Sequence, residues 1–169
     1  MTESPKTRLL RWGFNLFPAY RRTGARITYI AADFREVRVR LPLNWKTRNY
    51  VGTVFGGSMF GAVDGIHMVV LMKLLGPDYA VWDKGTTIHF KRPGRTTLYA
   101  RITVDEDELE SIRVELADNP KLNRVFHIDW TDAAGNVHAS IEKTIHIRRK
   151  DSLRNVSATS ARERRRIAA

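Results

Sequence analysis

One apolar stretch in the middle of the chain constrains the fold more than any other feature. Residues 56–75 place apolar side chains around nearly the whole circumference of a helix. Gly56 and Gly57 open the stretch and Gly76-Pro77 ends it, which predicts a helix from about Gly56 to about Leu75. Because such a helix has no polar face to turn to water, the rest of the chain must bury it on most sides.

The segments on either side of this helix have the patterns of strands. Val37, Val39 and Leu41 alternate with arginines, which is typical of a half-buried strand. Strands are predicted at 25–32, 34–43, 80–92, 96–104, 111–118, 122–132 and 137–149, with an acidic break at 105–110. Two strands, one long buried helix and a meander of antiparallel strands predict an α+β fold in which a curved sheet wraps the helix.

Positive charge is concentrated at the two ends of the chain. The formal net charge is +11, of which residues 1–26 contribute +5 and residues 148–169 contribute +6, so that the middle is neutral. We therefore predict an amphipathic N-terminal helix in residues 1–24, a folded domain in residues 25–149 and a basic tail in residues 150–169. The N-terminal helix either packs on the domain or attaches to a membrane surface.

The basic ends limit the classes of partner. They suit the phosphates of coenzyme A, weak contact with an anionic membrane, or nucleic acid bound without specificity. No specific nucleic-acid partner is expected, because a nucleic-acid module more often carries its charge on a structured face. The chain has no cysteine, no signal-peptide pattern at its start and no nucleotide or metal motif. These features predict a cytoplasmic protein without a cofactor.

The most informative segment is NYVGTVFGGSMFGAVD, residues 49–64. Asn49, Gly52, Gly56, Gly57 and Asp64 have the spacing of a signature of hotdog-fold thioesterases of the phenylacetate-pathway type, and the segment resembles it. TTIHFKRPGRTTLYARITV and TDAAGNVHASIEKTIHI are similar to later strands of that superfamily, in a less characterised, thioesterase-like branch. The resemblance covers roughly residues 25–147. It implies a hotdog fold, hydrolysis of acyl thioesters and sites built across a dimer interface, in a homodimer or homotetramer.

Asp64 is the candidate catalytic carboxylate. It lies in an almost wholly apolar helix, where a buried carboxylate costs several kcal/mol unless it is paired or used. A functional Asp64 would act as a general base on water or as a nucleophile. The alternative is a structural ion pair with His67, three residues further along the helix.

Gly56 and Gly57 are the candidate oxyanion donors. Their amide N–H groups would lie at the start of the helix, where a thioester carbonyl could be polarised. The alternative is a tight turn or close packing against the sheet. Gly56 and Asp64 are eight residues apart, about 12 Å along a helix, so one carbonyl could not touch both on one helix. A catalytic site would therefore combine helices from two subunits.

The remaining candidates surround this segment. By resemblance, Asn49 would position the water or the thioester, although a loop asparagine can equally be a turn residue. The resembled signature has His where this chain has Phe55; Phe55 would line an acyl channel and leaves room for a protein that binds thioesters without hydrolysing them. Further candidate substrate-binding residues are Asp83 and Thr86 as supporting polar groups and Lys91, Arg92 and Arg95 for the phosphates of coenzyme A.

Overall fold

The structure, a computed structural model, describes residues 2–150. The predicted tail at 150–169 therefore lies almost wholly outside the described residues. The helices are α1 (Pro5–Leu16), α2 (Pro18–Arg22), α3 (Gly56–Gly61), α4 (Ile66–Leu75) and α5 (Glu106–Asp118). The strands are β1 (Arg26–Ile30), β2 (Glu36–Leu41), β3 (Tyr79–Phe90), β4 (Leu98–Thr103), β5 (Lys121–Thr131) and β6 (Val137–Arg149).

All six strands form one antiparallel sheet with the order β1-β2-β4-β5-β6-β3. The predicted meander is wrong at one point, because β3 pairs with β6 and not with β4, its neighbour along the chain. This crossover makes β3 an edge strand of 12 residues whose outer side has no partner within the described chain.

The sheet curves around α3 and α4, and the α+β hotdog fold is confirmed. The inner face and the two helices share one core that includes Leu41, Val63, Leu71, Ile102 and Ile141. By length and composition alone, Gly56–Leu75 is apolar enough to cross a membrane. Because much of it packs into this core, the stretch acts as the core helix of the fold.

The prediction of a strand at 111–118 is wrong. The segment belongs to α5, which starts where the Asp105 carboxylate accepts a hydrogen bond from the Glu108 N–H at 2.8 Å. Leu109, Ile112 and Leu116 are buried at helical spacing, whereas Val114 is exposed. The apolar alternation of Ile112, Val114 and Leu116 also fits a strand, and the acidic segment before it supplies the helix cap and first turn.

The central helix is interrupted at residues 62–65, between α3 and α4. In a continuous helix the Met59 and Ala62 carbonyls would each accept a bond from a main-chain N–H four residues on. Here the Trp130 indole donates to the Met59 carbonyl at 3.1 Å, and the Tyr20 hydroxyl donates to the Ala62 carbonyl at 3.2 Å. Gly65 takes a left-handed conformation with φ 70°. Side chains from distant segments therefore stabilise the interruption.

The predicted N-terminal helix forms α1 and α2, which are separated at Phe17, and α1 packs against β1. The Asn15 amide donates to the Ile27 carbonyl at 2.8 Å and accepts from the Ile27 N–H at 2.9 Å. Leu10 and Phe14 contact the core. The interpretation that this helix packs on the domain is confirmed for one of its faces.

Candidate functional site

Asp64 lies in the turn that interrupts the central helix, and its side chain is 56% exposed. The expectation that this carboxylate is buried inside an apolar helix is therefore wrong for the single chain. The interruption turns Asp64 out of the core while its neighbours Val63 and Ile66 remain buried. A carboxylate in this position can reach water or a ligand.

A buried lysine fixes this carboxylate. Lys143 is 1% exposed, and its Nζ lies 3.2 Å from Asp64 Oδ1 and 2.8 Å from Asp83 Oδ2. Asp83 Oδ2 also accepts the Gly65 N–H at 3.1 Å, which ties β3 to the interrupted helix. One buried ammonium thus holds two carboxylates, which offsets the cost of its own burial.

The two oxygens of Asp64 have different surroundings. Oδ1 accepts from Lys143, whereas Oδ2 has no hydrogen-bond donor among residues 2–150. The second carboxylate also has a free atom, because Asp83 Oδ1 is buried and lacks a hydrogen-bond partner. One oxygen of Asp64 is therefore held in place, and the other is open to a proton or to an electrophilic carbon.

Sequence reasoning missed Lys143, although the pattern of β6 contains a signal for it. Lys143 is in phase with Ile141, Ile145 and Ile147, all of which point into the core. A lysine at an inward position of a strand requires a buried acidic partner. The register also places Thr86 of β3 directly opposite Lys143, so this predicted residue lies beside the cluster.

His67 is not the partner of Asp64. No hydrogen bond joins the two side chains in the described chain; His67 is buried and stacks on Phe126 with ring centroids 4.6 Å apart. Burial, reinforced by the positive charge of Lys143, lowers the pKa of His67 to about 3. His67 is therefore neutral at pH 7, and its Nδ1 has no hydrogen-bond partner. The alternative of a structural Asp64–His67 pair is excluded by this geometry.

A pocket of about 580 Å³ opens at the start of α3. Its walls are formed by Asn49, Val51, Thr53, Val54, Phe55, Gly56, Met59, Phe90, Lys91, Arg92, Pro93, Gly94 and Arg95. The structure therefore brings Asn49, Phe55, Gly56 and the three basic candidates together around one space. Asp64, Asp83 and Thr86 are not among the lining residues, so the candidates fall into two groups on one chain.

Two aromatic rings lie close to the glycines that begin α3. A Cβ on Gly56 would lie 2.6 Å from Phe90 Cζ, and one on Gly57 would lie 2.4 Å from Phe55 Cε1. Both rings are exposed at the pocket. As the first two residues of the helix, the glycines also have N–H groups without an acceptor inside it. Close packing of the rings and hydrogen-bond donation by the glycine N–H groups are compatible, because both require that no side chain covers the start of the helix.

Asn49 is a turn residue in this chain. Its side-chain amide donates to Thr53 Oγ1 at 2.9 Å, and its Oδ1 accepts the Thr53 N–H at 2.9 Å. Its own N–H donates to the Thr53 carbonyl at 2.8 Å. Asn49 nevertheless borders the pocket, and its interactions shape the loop that leads into Phe55.

The three basic candidates are exposed on the turn between β3 and β4. Main-chain N–H groups of Lys91 and Arg92 donate to the His138 carbonyl at 2.8 and 3.1 Å, which anchors the turn to β6. The Arg92 guanidinium reaches Asn136 Oδ1 at 3.5 Å. No acidic side chain lines the pocket that these residues border, so the rim is suited to an anionic group.

Comparison with known families and structures agrees with this architecture. A model of the family described as "Domain of unknown function (DUF4442)" matches residues 6–147. A search of curated proteins gives no match.

Solved structures resemble the chain across most of its length. A probable thioesterase of unknown function from Pseudomonas aeruginosa, PA5026, is 20% identical, with 88% of this chain and 98% of the other covered and a TM-score of 0.74. Thioesterase HI1161 from Haemophilus influenzae is 15% identical over 88% of this chain and 93% of the other, with a TM-score of 0.62. A mutant form of thioesterase PA1618 from Pseudomonas aeruginosa is 12% identical over 87% and 96%, with a TM-score of 0.62. At these identities the likeness establishes the fold.

Proposed function

The chain belongs to the family described as Domain of unknown function (DUF4442) and shares its fold with proteins named thioesterases, and on that basis we propose that it hydrolyses acyl thioesters such as acyl-CoA. One observation carries the proposal: Asp64 is exposed, and one of its oxygens is fixed by a buried lysine while the other is open.

In this proposal Asp64 activates water. Its open Oδ2 takes a proton from water while the hydroxyl adds to the thioester carbonyl; the C–S bond then breaks, and the thiolate recovers the proton to leave as a thiol. Alternatively, Asp64 attacks the carbonyl itself, expels the thiolate and forms an anhydride that water then hydrolyses. Lys143 fixes the carboxylate in either route, and Asp83 fixes Lys143.

The proposed oxyanion donors are the first N–H groups of α3. The Gly56 amide, and with it the Gly57 amide, would donate to the carbonyl oxygen as negative charge develops on it. Their lack of side chains allows a thioester to approach the main chain closely. Gly56 borders the pocket that would hold the acyl group beside Phe55 and Phe90.

A second subunit would bring these two groups together. Gly56 borders the pocket at the start of α3, whereas Asp64 lies eight residues further on, in the turn after that helix, and does not line the pocket. A long, unpaired edge strand such as β3 is a template for pairing with another chain. Because β3 carries Asp83, Thr86 and Phe90, pairing of two β3 edges in a homodimer would place both groups of candidates at one interface.

The rim of the pocket would meet the carrier of the acyl group. Lys91, Arg92 and Arg95 are exposed at the mouth and could bind the phosphates of coenzyme A by charge-assisted hydrogen bonds. Such a substrate belongs to the cytoplasm, where we place the protein.

The proposal is tested by the release of free thiol from a panel of short, long and aromatic acyl-CoAs. Asp64→Asn should lower kcat by at least about a hundredfold, which is the usual rate contribution of a general base. The variant should stay folded, because Lys143 keeps Asp83 as a partner at 2.8 Å. Asp78→Asn, which removes the same charge from an exposed loop after α4, is the matched control. Turnover that survives in Asp64→Asn would contradict the mechanism.

One observation favours a second function, the binding of acyl thioesters without hydrolysis. The pocket has aromatic walls at Phe55 and Phe90 and no acidic or histidine side chain among its lining residues. Saturable binding of an acyl-CoA to the folded dimer, with no thiol released across the panel, would support this alternative over catalysis.

A further inference from the structure

The N-terminal helices expose a large apolar and aromatic face that the proposed function does not use. On α1, Leu9, Trp12 and Leu16 are spaced three and four residues apart and are exposed, and Phe17 follows them. Trp45 is 79% exposed on the loop after β2. We call Leu9, Trp12, Leu16, Phe17 and Trp45 the N-terminal face. Exposed tryptophans are uncommon on a surface that contacts only water.

Trp12, Leu16 and Trp45 border one hollow, so that this part of the face is shared by α1 and the loop after β2. The hollow has a volume of about 700 Å³ and is bordered by Trp12, Leu16, Arg21, Trp45 and Lys46, among others. An adjoining hollow of about 650 Å³ shares Leu16, Arg21, Trp45 and Lys46 with it and adds Arg22. Segments far apart in the sequence, α1 and the loop after β2, thus form one surface.

The structure holds both segments firmly. Two hydrogen bonds join Asn15 of α1 to the main chain of Ile27. Beside Trp45, the Thr47 hydroxyl is buried and donates to the Pro42 carbonyl at 2.5 Å, and the Thr47 N–H donates to the Asn44 carbonyl. The apolar side chains are therefore presented by anchored main chain.

Positive charge surrounds this face, and negative charge is nearly absent from the segments that form it. Residues 4–32 contain six basic and no acidic residues, and residues 37–63 contain no acidic residue at all. Glu3, just before α1, is paired with Arg11 at 2.7 Å. Within the described chain, Arg21 and Arg22 make no ion pair, and Lys46 lies over the Trp45 ring at 4.9 Å.

We propose that the N-terminal face docks the protein on the surface of an anionic phospholipid bilayer. An amphipathic helix with Trp, Phe and Leu on one side and Lys and Arg around them lies in the plane of such an interface, with its apolar side chains among the acyl chains. Tryptophan is enriched at this depth of a membrane, and nearby basic residues are attracted by anionic headgroups. Arg21, Arg22 and Lys46 would contact the headgroup phosphates.

A second copy of the chain fits this surface less well. Symmetric pairing through the same face would bring Arg21, Arg22 and Lys46 close to their own equivalents, and like charges repel. An anionic lipid surface neutralises these charges and also covers the apolar side chains. The charge of the face thus favours a bilayer over a homodimer contact.

The test is a sedimentation assay, which measures binding of the full chain to vesicles of phosphatidylcholine alone or of phosphatidylcholine with about 30% phosphatidylglycerol. We expect binding to the anionic vesicles that falls about tenfold or more in Trp12→Ser/Trp45→Ser. The matched control is Val114→Ser/Val125→Ser, which removes two exposed apolar side chains elsewhere. Arg21→Gln/Arg22→Gln should weaken binding more than Lys84→Gln/Lys121→Gln, which removes the same charge from exposed sites on β3 and β5.

Tryptophan fluorescence distinguishes this face from the basic tail. Brominated lipids should quench the wild type, and the quenching should be lost in the Trp12→Ser/Trp45→Ser variant. Circular dichroism checks that each variant is folded. The proposal is overturned if the chain does not bind, if binding persists in the tryptophan variant with equal quenching, or if that variant instead dissociates an oligomer.

Discussion

At the scale of residues, buried ionisable groups organise the surroundings of Asp64. Lys143 is buried in the core, where its Nζ lies within 3.2 Å of Asp64 and 2.8 Å of Asp83. His67 lies in the same core, and burial together with the charge of Lys143 lowers its pKa to about 3. One basic side chain is thus paired with two carboxylates, while burial favours the neutral form of its neighbour.

The lowered pKa of His67 predicts a loss of stability in acid. Below the ordinary pKa of 6.5 the unfolded chain binds a proton that the folded chain refuses until about pH 3, so the free energy of unfolding falls as pH falls through this window. Between pH 6.5 and 4.5 this site should cost about 2 to 3 kcal/mol. We expect the free energy of unfolding, measured with denaturant across that range, to depend less steeply on pH in His67→Gln than in the wild type.

The matched control for this measurement is His127→Gln, because His127 is exposed on β5. In that variant the free energy of unfolding should depend on pH as steeply as in the wild type. If His67→Gln also keeps the wild-type pH dependence, other groups govern the acid sensitivity.

At the scale of elements, helix caps and hydrogen bonds to main-chain carbonyl groups decide where helices begin and end. The acidic residues before Leu109 provide the start of α5, with Asp105 as its cap. The interruption of the central helix depends on Trp130 and Tyr20, whose side chains bind the freed carbonyls. Burial raises the pKa of Tyr20, which keeps its hydroxyl protonated as a donor.

The cap of α5 gives a prediction about stability. Asp105→Ala removes the acceptor for the Glu108 N–H and should lower the free energy of unfolding by about 1 kcal/mol, the usual value of such a cap. Asp118→Ala, the same change at the other end of the helix, is the control and should not be destabilising. Equal effects of both changes in denaturant unfolding would contradict the capping role.

At the scale of the whole molecule, the candidate residues lie in two groups, which the proposed homodimer would join. The first group borders the pocket at Gly56, and the second surrounds Asp64 at the interruption of the helix. The edge strand β3 runs between them and has no partner on its outer side within residues 2–150.

A shared site predicts complementation between two inactive variants. Asp64→Asn removes the carboxylate, and Gly56→Val should block the pocket through contact with Phe90. After unfolding and refolding as a mixture, half of the dimers are mixed and each has one intact site, so about a quarter of wild-type turnover should return. Light scattering confirms the dimer, and refolding each variant alone is the control. A mixture that stays inactive would place the complete site on one chain.

The sequence by itself determined the composition of the core helix, most of the strands and the candidates Asn49, Phe55, Gly56, Gly57 and Asp64. These follow from local patterns: apolar periodicity, glycine signals and the spacing of a resembled signature. The strand predicted at 111–118 is a helix in the structure, because Ile112, Val114 and Leu116 alternate as in a strand while Leu109, Ile112 and Leu116 also have helical spacing.

Only the tertiary structure decided the position of β3, the interruption of the central helix and the ion pairs of Lys143. Each depends on contacts between segments distant in sequence: β3 with β6, Trp130 with Met59, and Lys143 with Asp64, which is 79 residues away. A local pattern states which side of a strand is buried, but not what lies against it. For that reason the sequence identified Asp64 as a candidate, and the fold determined that it is exposed and held by a lysine.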